Sequence, residues 1–427
     1  MPTTMLCWHP RGRADDVKDL LFLTHRIPYP PNKGDKIRSY NLLRHLAKDY
    51  RVHLGTFIDD PQDWKHVDQV DRFCGQTCYV GLKPLKARLF STRGFFTGEA
   101  LTLPYYRNAR MRRWVASVMK EHAPQRVLVF SSAMCQYAMF DGARHAHRVV
   151  DFVDIDSDKW RQYSESLNWP MSWLYRRESR TLLNFERDVA RRFDASIFVS
   201  QAESELFKRL APESAGRVSH VENGVDTDYF CRHHDLPNPY ADNERVLVFT
   251  GAMDYWANAD AVAWFAQTVF PEIRERVPEA RFYIVGARPG EVVTKLGEQP
   301  DVHVTGSVKD IRPYLAYARA AVAPLRIARG VQNKVLEAMA MERPVLASSA
   351  ALDGIVSCPA LEALRADEPG QMADKAVELL TTGIGESLGK AGRSCVTAHY
   401  DWTRNLSRIE ELLEHSGGAR DGMVVDG

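Results

Sequence analysis

The 427-residue sequence lacks several features that would quickly assign it to a class of protein. No stretch approaches the ~20 consecutive apolar residues that span a bilayer. The first 19 residues mix arginines with aspartates and contain no apolar run typical of a secretory signal. No internal repeat or extended low-complexity tract is evident. These absences argue against a helical membrane protein, a secreted protein and a repeat array, and we expect a protein that stays in the cytoplasm.

Paired cysteines are also missing. An odd number of scattered cysteines argues against a disulfide framework. Two of them, Cys74 and Cys78, are four positions apart, but no second pair of cysteines or histidines follows at the spacing of a zinc site. The alternative is two thiols near a strand, and we predict no metal site. The seven cysteines are Cys7, Cys74, Cys78, Cys135, Cys231, Cys358 and Cys395.

Charge of either sign is nearly balanced over the whole chain but not along it. Hydrophobic residues make up 45% and charged residues 26%, a globular composition with enough length for two domains. The net charge of +1 combines +9 in residues 1–222 with −8 in residues 223–427. A basic half suggests an anionic partner for that half. Chance segregation of charge on solvated faces is the alternative.

Short apolar runs alternate with helical patterns along both halves of the chain. This alternation predicts two doubly wound α/β domains with parallel sheets. Because ligands bind such domains at the carboxyl ends of the strands, we expect two facing Rossmann-like domains with a ligand cleft between them. The predicted strands are 19–24, 51–57, 126–130, 148–153, 195–199 and 218–221, then 246–250, 281–285, 302–305, 320–324 and 344–348.

The same patterns predict the domain boundaries. Between the two α/β series lies an irregular segment with Pro237 and Pro239, which we interpret as a hinge. A last helical pattern and a glycine-rich end follow the second series. The predicted divisions are an N-terminal extension 1–18, a first domain 19–222, a hinge 223–245, a second domain 246–396, a terminal helix 397–415 and a flexible tail 416–427.

The strongest candidate site is the segment 329–340, which follows a predicted strand. Gly330 permits unusual backbone angles, and a helix beginning near Gln332 or Asn333 would direct its positive end at an anion. Lys334 adds a charge suited to a diphosphate. One turn later, Glu337 is placed to accept hydrogen bonds from the vicinal hydroxyls of a ribose. An ordinary helix with a surface lysine and glutamate is the alternative.

This segment resembles the donor-binding signature of the retaining glycosyltransferases of family 4, in which a second glutamate matches Glu337. The first glutamate of that signature is replaced by Arg329, so its usual contact with the donor sugar is not carried over. Two segments are similar to segments of the sugar transferases associated with PEP-CTERM/exosortase exopolysaccharide loci. They are the opening P-Y-P-P-N-K-G-D-K-I-R-S-Y-N-L-L and the later run A-P-L-R-I-A-R-G-V-Q-N-K-V-L-E-A-M-A. The resemblance covers about residues 20–415.

The resemblance implies a GT-B fold in which the last helix crosses back to the first domain, and a donor site built mainly by the second domain. It implies that Gly34 approaches the donor diphosphate, with a plain loop glycine as the alternative. We nominate Arg326, Arg329 and Lys334 as the cations for the diphosphate. The full set of predicted donor-binding residues is Gly34, Gly251, Gly286, Gly306, Val308, Arg326, Arg329, Gly330, Val331, Gln332, Asn333, Lys334 and Glu337.

Two aspartates near the end of the predicted strand 148–153 are further catalytic candidates beside Lys334 and Glu337. By position, Asp151 and Asp154 match the site where the family places a polar residue near the transferred sugar. A role at the core edge is the alternative, as is helix capping by Asp156 or Ser157. The run 154–158 also imitates the D-x-D metal motif of the GT-A fold. The second α/β domain disfavours that fold, and we predict metal-independent transfer without a cofactor.

Basic and aromatic residues are concentrated in 87–114 and 160–180. Such stretches suit an anionic membrane surface, and no motif for nucleic acid accompanies them. We therefore predict a retaining glycosyltransferase of exopolysaccharide biosynthesis, with a nucleotide-sugar donor, a lipid-linked or saccharide acceptor and peripheral contact with the inner membrane face. A nucleotide-sugar epimerase of the same fold and a non-catalytic nucleotide-sugar-binding protein are the alternatives.

Overall fold

The computed structural model describes residues 17–414, apart from Asn32, Ser166, His233, His234 and Arg329. It divides into two compact units. The N-terminal unit contains the chain up to Glu222 together with the chain from Leu406 onward, and the C-terminal unit contains Asn223–Asn405. The predicted hinge 223–245 falls inside the C-terminal unit, and the predicted tail and most of the predicted extension lie outside the described residues.

Seven parallel strands form the sheet of the N-terminal unit, in the order β3-β2-β1-β4-β5-β6-β7. The central strands are buried almost throughout, which is typical of a sheet covered by helices on both faces. The strands are β1 (Lys18–Thr24), β2 (Tyr50–Ile58), β3 (Cys74–Gly81), β4 (Arg126–Phe130), β5 (His147–Val153), β6 (Ala195–Phe198) and β7 (Val218–His220).

Five parallel strands form the sheet of the C-terminal unit, in the order β10-β9-β8-β11-β12. Sequence order reverses between β8 and β11, and this topology places a ligand site at the carboxyl ends of the strands. The strands are β8 (Arg245–Thr250), β9 (Ala280–Val285), β10 (Val302–Gly306), β11 (Ala320–Ala323) and β12 (Val345–Ala347).

Helices connect the strands in both units. The α-helices are α1 (Gly34–Leu46), α2 (Val67–Asp71), α3 (Pro84–Ser91), α4 (Arg93–Thr97), α5 (Thr102–Tyr105), α6 (Ala109–Glu121), α7 (Asp156–Glu165), α8 (Met171–Arg192), α9 (Gln201–Leu210), α10 (Trp256–Trp264), α11 (Phe270–Arg276), α12 (Glu291–Leu296), α13 (Arg312–Tyr317), α14 (Asn333–Ala340), α15 (Ser349–Leu352), α16 (Pro359–Ala363), α17 (Pro369–Thr381), α18 (Ile384–His399) and α19 (Trp402–Glu414). Shorter 3-10 and π turns cover Pro61–His66, Ser132–Tyr137, Asp141–Ala143, Pro212–Arg217 and Phe265–Val269.

The sequence patterns predicted every strand but β3. That strand begins with the partly polar run Cys74-Gly75-Gln76-Thr77, which is largely exposed and carries no apolar signal. It forms because β2 offers a free edge with backbone groups to pair, and the register runs from Val52 opposite Cys74 to Ile58 opposite Gly81. The fold-class prediction of an α/β protein with two parallel sheets is confirmed.

The end of the last helix belongs to the N-terminal unit. The Glu414 carboxylate accepts hydrogen bonds from Lys18 Nζ at 2.9 Å and Arg126 Nη2 at 2.6 Å, and from the Tyr50 hydroxyl. Upstream on the same helix, Glu410 contacts His45 Nε2 at 3.2 Å. These contacts join the end of this helix to α1, β1, β2 and β4, as expected of a terminal helix that crosses back.

Candidate donor site

Three glycines end neighbouring strands of the C-terminal unit. The Gly251 amide donates to Val285 O at 3.0 Å, and the Gly286 amide donates to Gly306 O at 3.2 Å. A Cβ atom added at Gly286 would lie 1.6 Å from the Gly251 carbonyl oxygen, so no other residue fits there without a backbone shift. The three predicted glycines therefore line one edge of the sheet, where backbone groups remain accessible to a ligand.

The predicted helix start is confirmed. Gly330 has φ +63°, a left-handed conformation that favours glycine, and Gln332 precedes the first helical residue of α14, Asn333. The first amides of a helix have no partner within it and carry partial positive charge. Arg329 lies outside the described residues.

Lys334 is held beneath this helix start. Its Nζ donates to Asn258 Oδ1 at 2.6 Å and lies 4.9 Å from the centre of the Phe249 ring. Asn258 is fixed in turn because its amide donates to Ala252 O at 2.9 Å. Burial lowers the pKa of Lys334 to about 8, and the nearby Glu337 carboxylate only partly offsets this. An ammonium group destabilised by burial is one that a bound phosphate would stabilise.

Glu337, one turn further along α14, shows the opposite shift for the same reason. Burial raises the pKa of Glu337 to about 7, against the charge of Lys334. Next to these two residues, the amide oxygen of Asn333 is buried and has no hydrogen-bond partner among the described residues. An acceptor without a donor costs about 1–3 kcal/mol when buried. The helix start therefore offers an ammonium, a carboxylate and an amide oxygen whose requirements the protein alone does not meet.

Two arginines at this edge of the sheet are already paired. The guanidinium of Arg326 is bidentate to the Asp260 carboxylate and is largely exposed. Arg288 donates to Asp254 at 2.6 Å in the same manner from the loop after β9. Arg326 was predicted to face the donor phosphates, and its pairing makes it a weaker candidate than Lys334. Arg288, Asn258 and Phe249 were not predicted, because their approach to the site depends on loops from other strands.

The apolar members of the predicted set are placed differently. Val308, after β10, and Val331, before α14, are partly buried and pack against the core of the C-terminal unit. The Gly330 carbonyl accepts a hydrogen bond from Gln332 Nε2 at 3.1 Å. Val308 and Val331 thus shape the edge of the sheet, while the polar groups described above supply its chemistry.

Asp151 does not face solvent, contrary to a catalytic placement. Its carboxylate has no exposed side-chain surface, accepts from Arg38 Nε at 2.6 Å and receives the Val153 amide at 3.1 Å. A side chain that is fully enclosed and paired cannot contact a substrate in this conformation. The arrangement corresponds to the alternative role at the core edge.

Asp154 lies at the surface of a charged cluster. Its carboxylate binds Lys159 Nζ at 2.8 Å, and Asp156 binds the same nitrogen at 3.3 Å. Asp158 accepts from Arg161 at 2.6 Å. The three carboxylates of the D-x-D-like run are therefore neutralised by neighbouring cations. Capping of α7 by Asp156 or Ser157 was the alternative. Instead, the Ser157 amide donates a hydrogen bond to the carboxylate of Glu186, which is distant in sequence.

Backbone strain accompanies Asp154. The preceding residue Val153 has φ +70°, and Ser131 at the end of the neighbouring strand β4 has φ +79°. Positive φ at a β-branched residue is a genuine outlier, and such strain is concentrated at functional sites. The strained positions occupy the carboxyl ends of β4 and β5, where an α/β unit binds ligands.

Another polar group at this edge was not predicted. His25 directly follows β1, stacks on Phe130 with ring centres 5.9 Å apart, and its Nε2 lies 3.3 Å from Asp35. Its Nδ1 is buried without a hydrogen-bond partner among the described residues. Asp35 also binds Arg26 at 2.6 Å, just after Gly34, where α1 begins as an exposed turn. A histidine at the end of the first strand was the available sequence signal.

The basic and aromatic stretches divide between core and surface. Trp160 packs against Tyr175 with ring centres 5.0 Å apart and is not free for a partner. By contrast, Phe96 is 91% exposed and Trp169 81% exposed. We use the name aromatic patch for five exposed apolar side chains in or next to these two stretches, which are Leu85, Leu89, Phe96, Trp169 and Trp173.

Contacts between α4 and α8 fix the position of Trp173. Phe95 stacks on Trp173 at 6.3 Å, and Arg177 lies over the Phe95 ring while donating to Gly94 O. Arg176 and Arg180 on the same helix are exposed. None of the helices within the described residues has both the length and the apolar character needed to span a bilayer.

Comparisons with known proteins place these features in a known fold. Residues 244–382 match the family described as glycosyl transferases group 1. This match covers β8–β12 and α14, the elements that build the candidate donor site. No curated protein sequence matches the chain significantly.

Solved structures are similar over nearly the whole chain. The sucrose-phosphate synthase of Thermosynechococcus elongatus has 17% identity and a TM-score of 0.66, with 92% of this chain and 98% of that chain covered. Anabaena HepE in complex with UDP-glucose has 16% identity and a TM-score of 0.64, with 92% and 99% covered. WaaG, a glycosyltransferase involved in lipopolysaccharide biosynthesis, has 15% identity and a TM-score of 0.63, with 93% and 100% covered.

The chain has the GT-B fold. The predicted fold class is confirmed.

Proposed function

We propose that the protein is a retaining glycosyltransferase, which moves a sugar from a nucleoside diphosphate sugar to a lipid-linked or saccharide acceptor. The observation that carries the proposal is the group of unmet polar requirements at the start of α14. Lys334 and Glu337 are both pushed towards their neutral forms by burial, and Asn333 Oδ1 lacks a donor. A nucleoside diphosphate supplies phosphate oxygens for the ammonium and hydroxyl donors for the two oxygen acceptors.

In this proposal the C-terminal unit binds the donor by its leaving group. The first amides of α14 and Lys334 contact the diphosphate, and Glu337 accepts the ribose hydroxyls. Negative charge grows on the diphosphate as the bond from the sugar carbon C1 to oxygen breaks. Fixed positive groups stabilise that charge without reorganisation, which is the largest common contribution to catalysis of this kind. The guanidinium of Arg326, which is paired with Asp260, stabilises the diphosphate more weakly from the edge of the sheet.

The acceptor hydroxyl then attacks C1 from the face that the diphosphate leaves, which gives retention, and its proton passes to the departing diphosphate oxygen. We assign no divalent ion to this step, since Lys334 and the helix amides provide the positive charge and Lys159 occupies Asp154 and Asp156. Transfer should therefore persist in EDTA. Complete loss of transfer in EDTA, restored by added Mg²⁺ or Mn²⁺, would contradict a metal-independent mechanism.

The acceptor is proposed to lie at an anionic membrane surface. The aromatic patch provides apolar side chains, and exposed Arg176 and Arg180 lie on the helix that carries Trp173. Each cation near an anionic surface contributes about 1 kcal/mol, and several suffice for reversible binding without a membrane span. We therefore also propose that the protein belongs to glycosyltransferase family 4 and is related to the PEP-CTERM-associated sugar transferases. Its proposed role is in exopolysaccharide synthesis.

Product analysis tests the reaction itself. UDP-glucose is the first donor to use, because HepE was solved with it. The protein should bind donor, and it should transfer sugar only when a membrane lipid extract or oligosaccharide is added. A changed sugar configuration in the donor without acceptor would identify an epimerase. Binding of any nucleotide sugar in a wide panel, without turnover under any condition, would instead identify a non-catalytic binding protein.

Glu337→Gln tests the residue assignment. Because an amide is a weaker acceptor for two hydroxyls than a carboxylate, donor affinity should fall about tenfold. Glu362→Gln, an exposed position of the same unit, is the matched control and should bind as wild type. Equal affinity of Glu337→Gln and wild type would remove the ribose contact from the proposal.

Vesicle co-sedimentation tests whether the aromatic patch and the neighbouring arginines bind an anionic membrane. The double variant Phe96→Ser/Trp169→Ser should lose binding to vesicles containing phosphatidylglycerol, and Arg176→Glu/Arg180→Glu should weaken it most at low salt. Val292→Ser, an exposed apolar residue of the C-terminal unit, is the control. Arg177 is left intact because it holds α4 and α8 together. Failure of wild type to bind these vesicles at low salt would contradict membrane docking.

A further inference from the structure

Three metal-ligating side chains meet in the N-terminal unit, away from the residues discussed so far. Asp19 lies near the start of β1, His53 lies in β2, and His122 directly follows α6. One ligand atom from each lies within 4.8 Å of the other two. His53 Nε2 is 2.7 Å from Asp19 Oδ1, and the two imidazole rings have centres 4.4 Å apart.

The strand register explains this meeting. Asp19 pairs with Arg51 and Leu21 pairs with His53, so Asp19 and His53 lie on the same face of adjacent strands. Helix α6 covers that face, and its Trp114 reaches the position of Gly55, two residues beyond His53. The helix ends at Glu121, which leaves His122 over the first residues of the strands.

We propose that Asp19, His53 and His122 bind a divalent transition-metal ion, with Zn²⁺ as the best match. Two imidazoles and one carboxylate are a common zinc ligand set, and they leave a fourth position for water. Tetrahedral zinc with bonds of about 2.0–2.1 Å requires ligand atoms roughly 3.3 Å apart. The observed spacing needs only small side-chain shifts, and the partly exposed His122 at a helix end can make them when it releases Gln76.

In the part of the chain that the structure describes, the buried imidazole of His53 uses only one of its two ring nitrogens in hydrogen bonding. His53 has no exposed side-chain surface, and its Nδ1 makes no hydrogen bond within the described residues. Buried polar nitrogens normally have a partner, and one left without it costs free energy. The hydrogen bonds of the protein therefore do not use the full capacity of this imidazole.

Two neighbours oppose metal binding and make the proposal testable. Arg51 Nη1 is 3.8 Å from Asp19 Oδ1, and Gln76 Nε2 is 2.9 Å from His122 Nε2. A guanidinium repels a dication, so a bound ion must displace it from Asp19. The Arg51 side chain is 35% exposed and can turn towards solvent. Its removal should therefore strengthen binding, which is the opposite of the effect at a ligand.

The proposed site is separate from the transfer reaction. It lies in the amino-terminal halves of β1 and β2, whereas Gly34, Asp154 and His25 follow the carboxyl ends of strands. A metal there would join β1, β2 and the end of α6. Its expected consequence is higher stability of the N-terminal unit, because an ion that binds the folded state alone stabilises it.

Metal titration of the full-length protein tests this inference. After removal of metals with a chelator and its washing out, Zn²⁺ is titrated in competition with a chromophoric chelator. One high-affinity ion per chain and a raised Tm are expected, and Co²⁺ should give the visible absorption of a tetrahedral site. Asp19→Asn and His122→Gln should each weaken Zn²⁺ binding by about tenfold or more.

Two control variants separate this site from chance binding. His145→Gln removes an exposed histidine of the same unit and should leave the affinity unchanged, and Arg51→Met should raise it. Wild-type affinity in His122→Gln, or no saturable binding by wild type, would overturn the proposal. Circular dichroism checks folding, and the partly exposed His122 decides the case if Asp19→Asn fails to fold. Donor binding is not needed for this readout, so the result is independent of the proposed transfer activity.

Discussion

The two units bury charged side chains to different depths. In the N-terminal unit, Arg38 and Asp151 are fully buried as an ion pair, and Lys36 and Asp63 form another at 2.6 Å. Among the residues that the structure describes, all the buried charged side chains lie in this unit. The C-terminal unit holds Lys334 and Glu337 only half-buried. Burial shifts the pKa of both towards the neutral form, as it also does for Asp151 and Glu186 in the N-terminal unit.

We use this difference to distinguish charges that maintain the fold from charges that a ligand could compensate. A buried charge with a good partner is compensated internally, and removing the partner destabilises the protein. A charge without full compensation is available to a ligand that supplies the missing opposite charge or hydrogen bond. We therefore infer that Asp151 maintains the fold and keep Lys334 as a proposed donor contact, although the sequence nominated both as catalytic.

The largest expected effect is on the compensated pair. Arg38→Met should leave the Asp151 carboxylate buried without its cation and reduce the free energy of unfolding by about 3–5 kcal/mol. Arg326→Met, which breaks the exposed pair with Asp260, is the control and should cost far less. Urea denaturation followed by circular dichroism measures both. Equal stability of the two variants would remove the distinction between the units.

Lys334→Met should show the reverse pattern. Stability should change by no more than about 1 kcal/mol, since the loss of the bond to Asn258 is offset by removal of a poorly solvated charge. Affinity for UDP-glucose should fall at least about tenfold, as the loss of a charged contact implies. Calorimetric titration and thermal unfolding provide the two readouts. Loss of stability with unchanged affinity would make Lys334 a structural residue.

Donor affinity should depend on pH with two limbs. Binding of a diphosphate favours charged Lys334 and raises its pKa from about 8, so affinity is full below that value and falls as pH rises above it. Ribose hydroxyls favour ionised Glu337 and lower its pKa from about 7, so affinity falls as pH decreases below 7. The optimum should lie between these values.

Variants identify each limb of this profile. The alkaline limb should disappear in Lys334→Met, and the acid limb should disappear in Glu337→Gln. Because the two groups interact, the observed midpoints belong to the pair. A wild-type donor Kd that is flat between pH 6 and 9 would contradict the roles of both residues.

The smallest effect is expected at Arg326. Asp260 already holds its guanidinium, and the exposed position screens its charge. Arg326→Met should weaken UDP-glucose binding by about threefold or less. A loss as large as that of Lys334→Met would mean that Arg326 leaves Asp260 to bind the donor, and it would restore the sequence-based assignment.

Local patterns predicted the fold well and the site in part. Eleven strands and the helix start at Asn333 could be predicted because apolar runs and a glycine turn are encoded by neighbouring residues. Strand β3 could not, since its pairing depends on the edge of β2 rather than on its own side chains. Asn258, which holds Lys334 from 76 positions away, has no signal in its local sequence.

The sequence by itself determined the two α/β series, the break between them and the helix that begins after Gly330. Only the tertiary structure decided which charges are compensated. Asp151 meets Arg38 across 113 positions, and Arg326 meets Asp260 across 66. The physical reason is that backbone propensity acts over a few residues, whereas the state of a charge depends on the solvent and partners that the completed fold places around it.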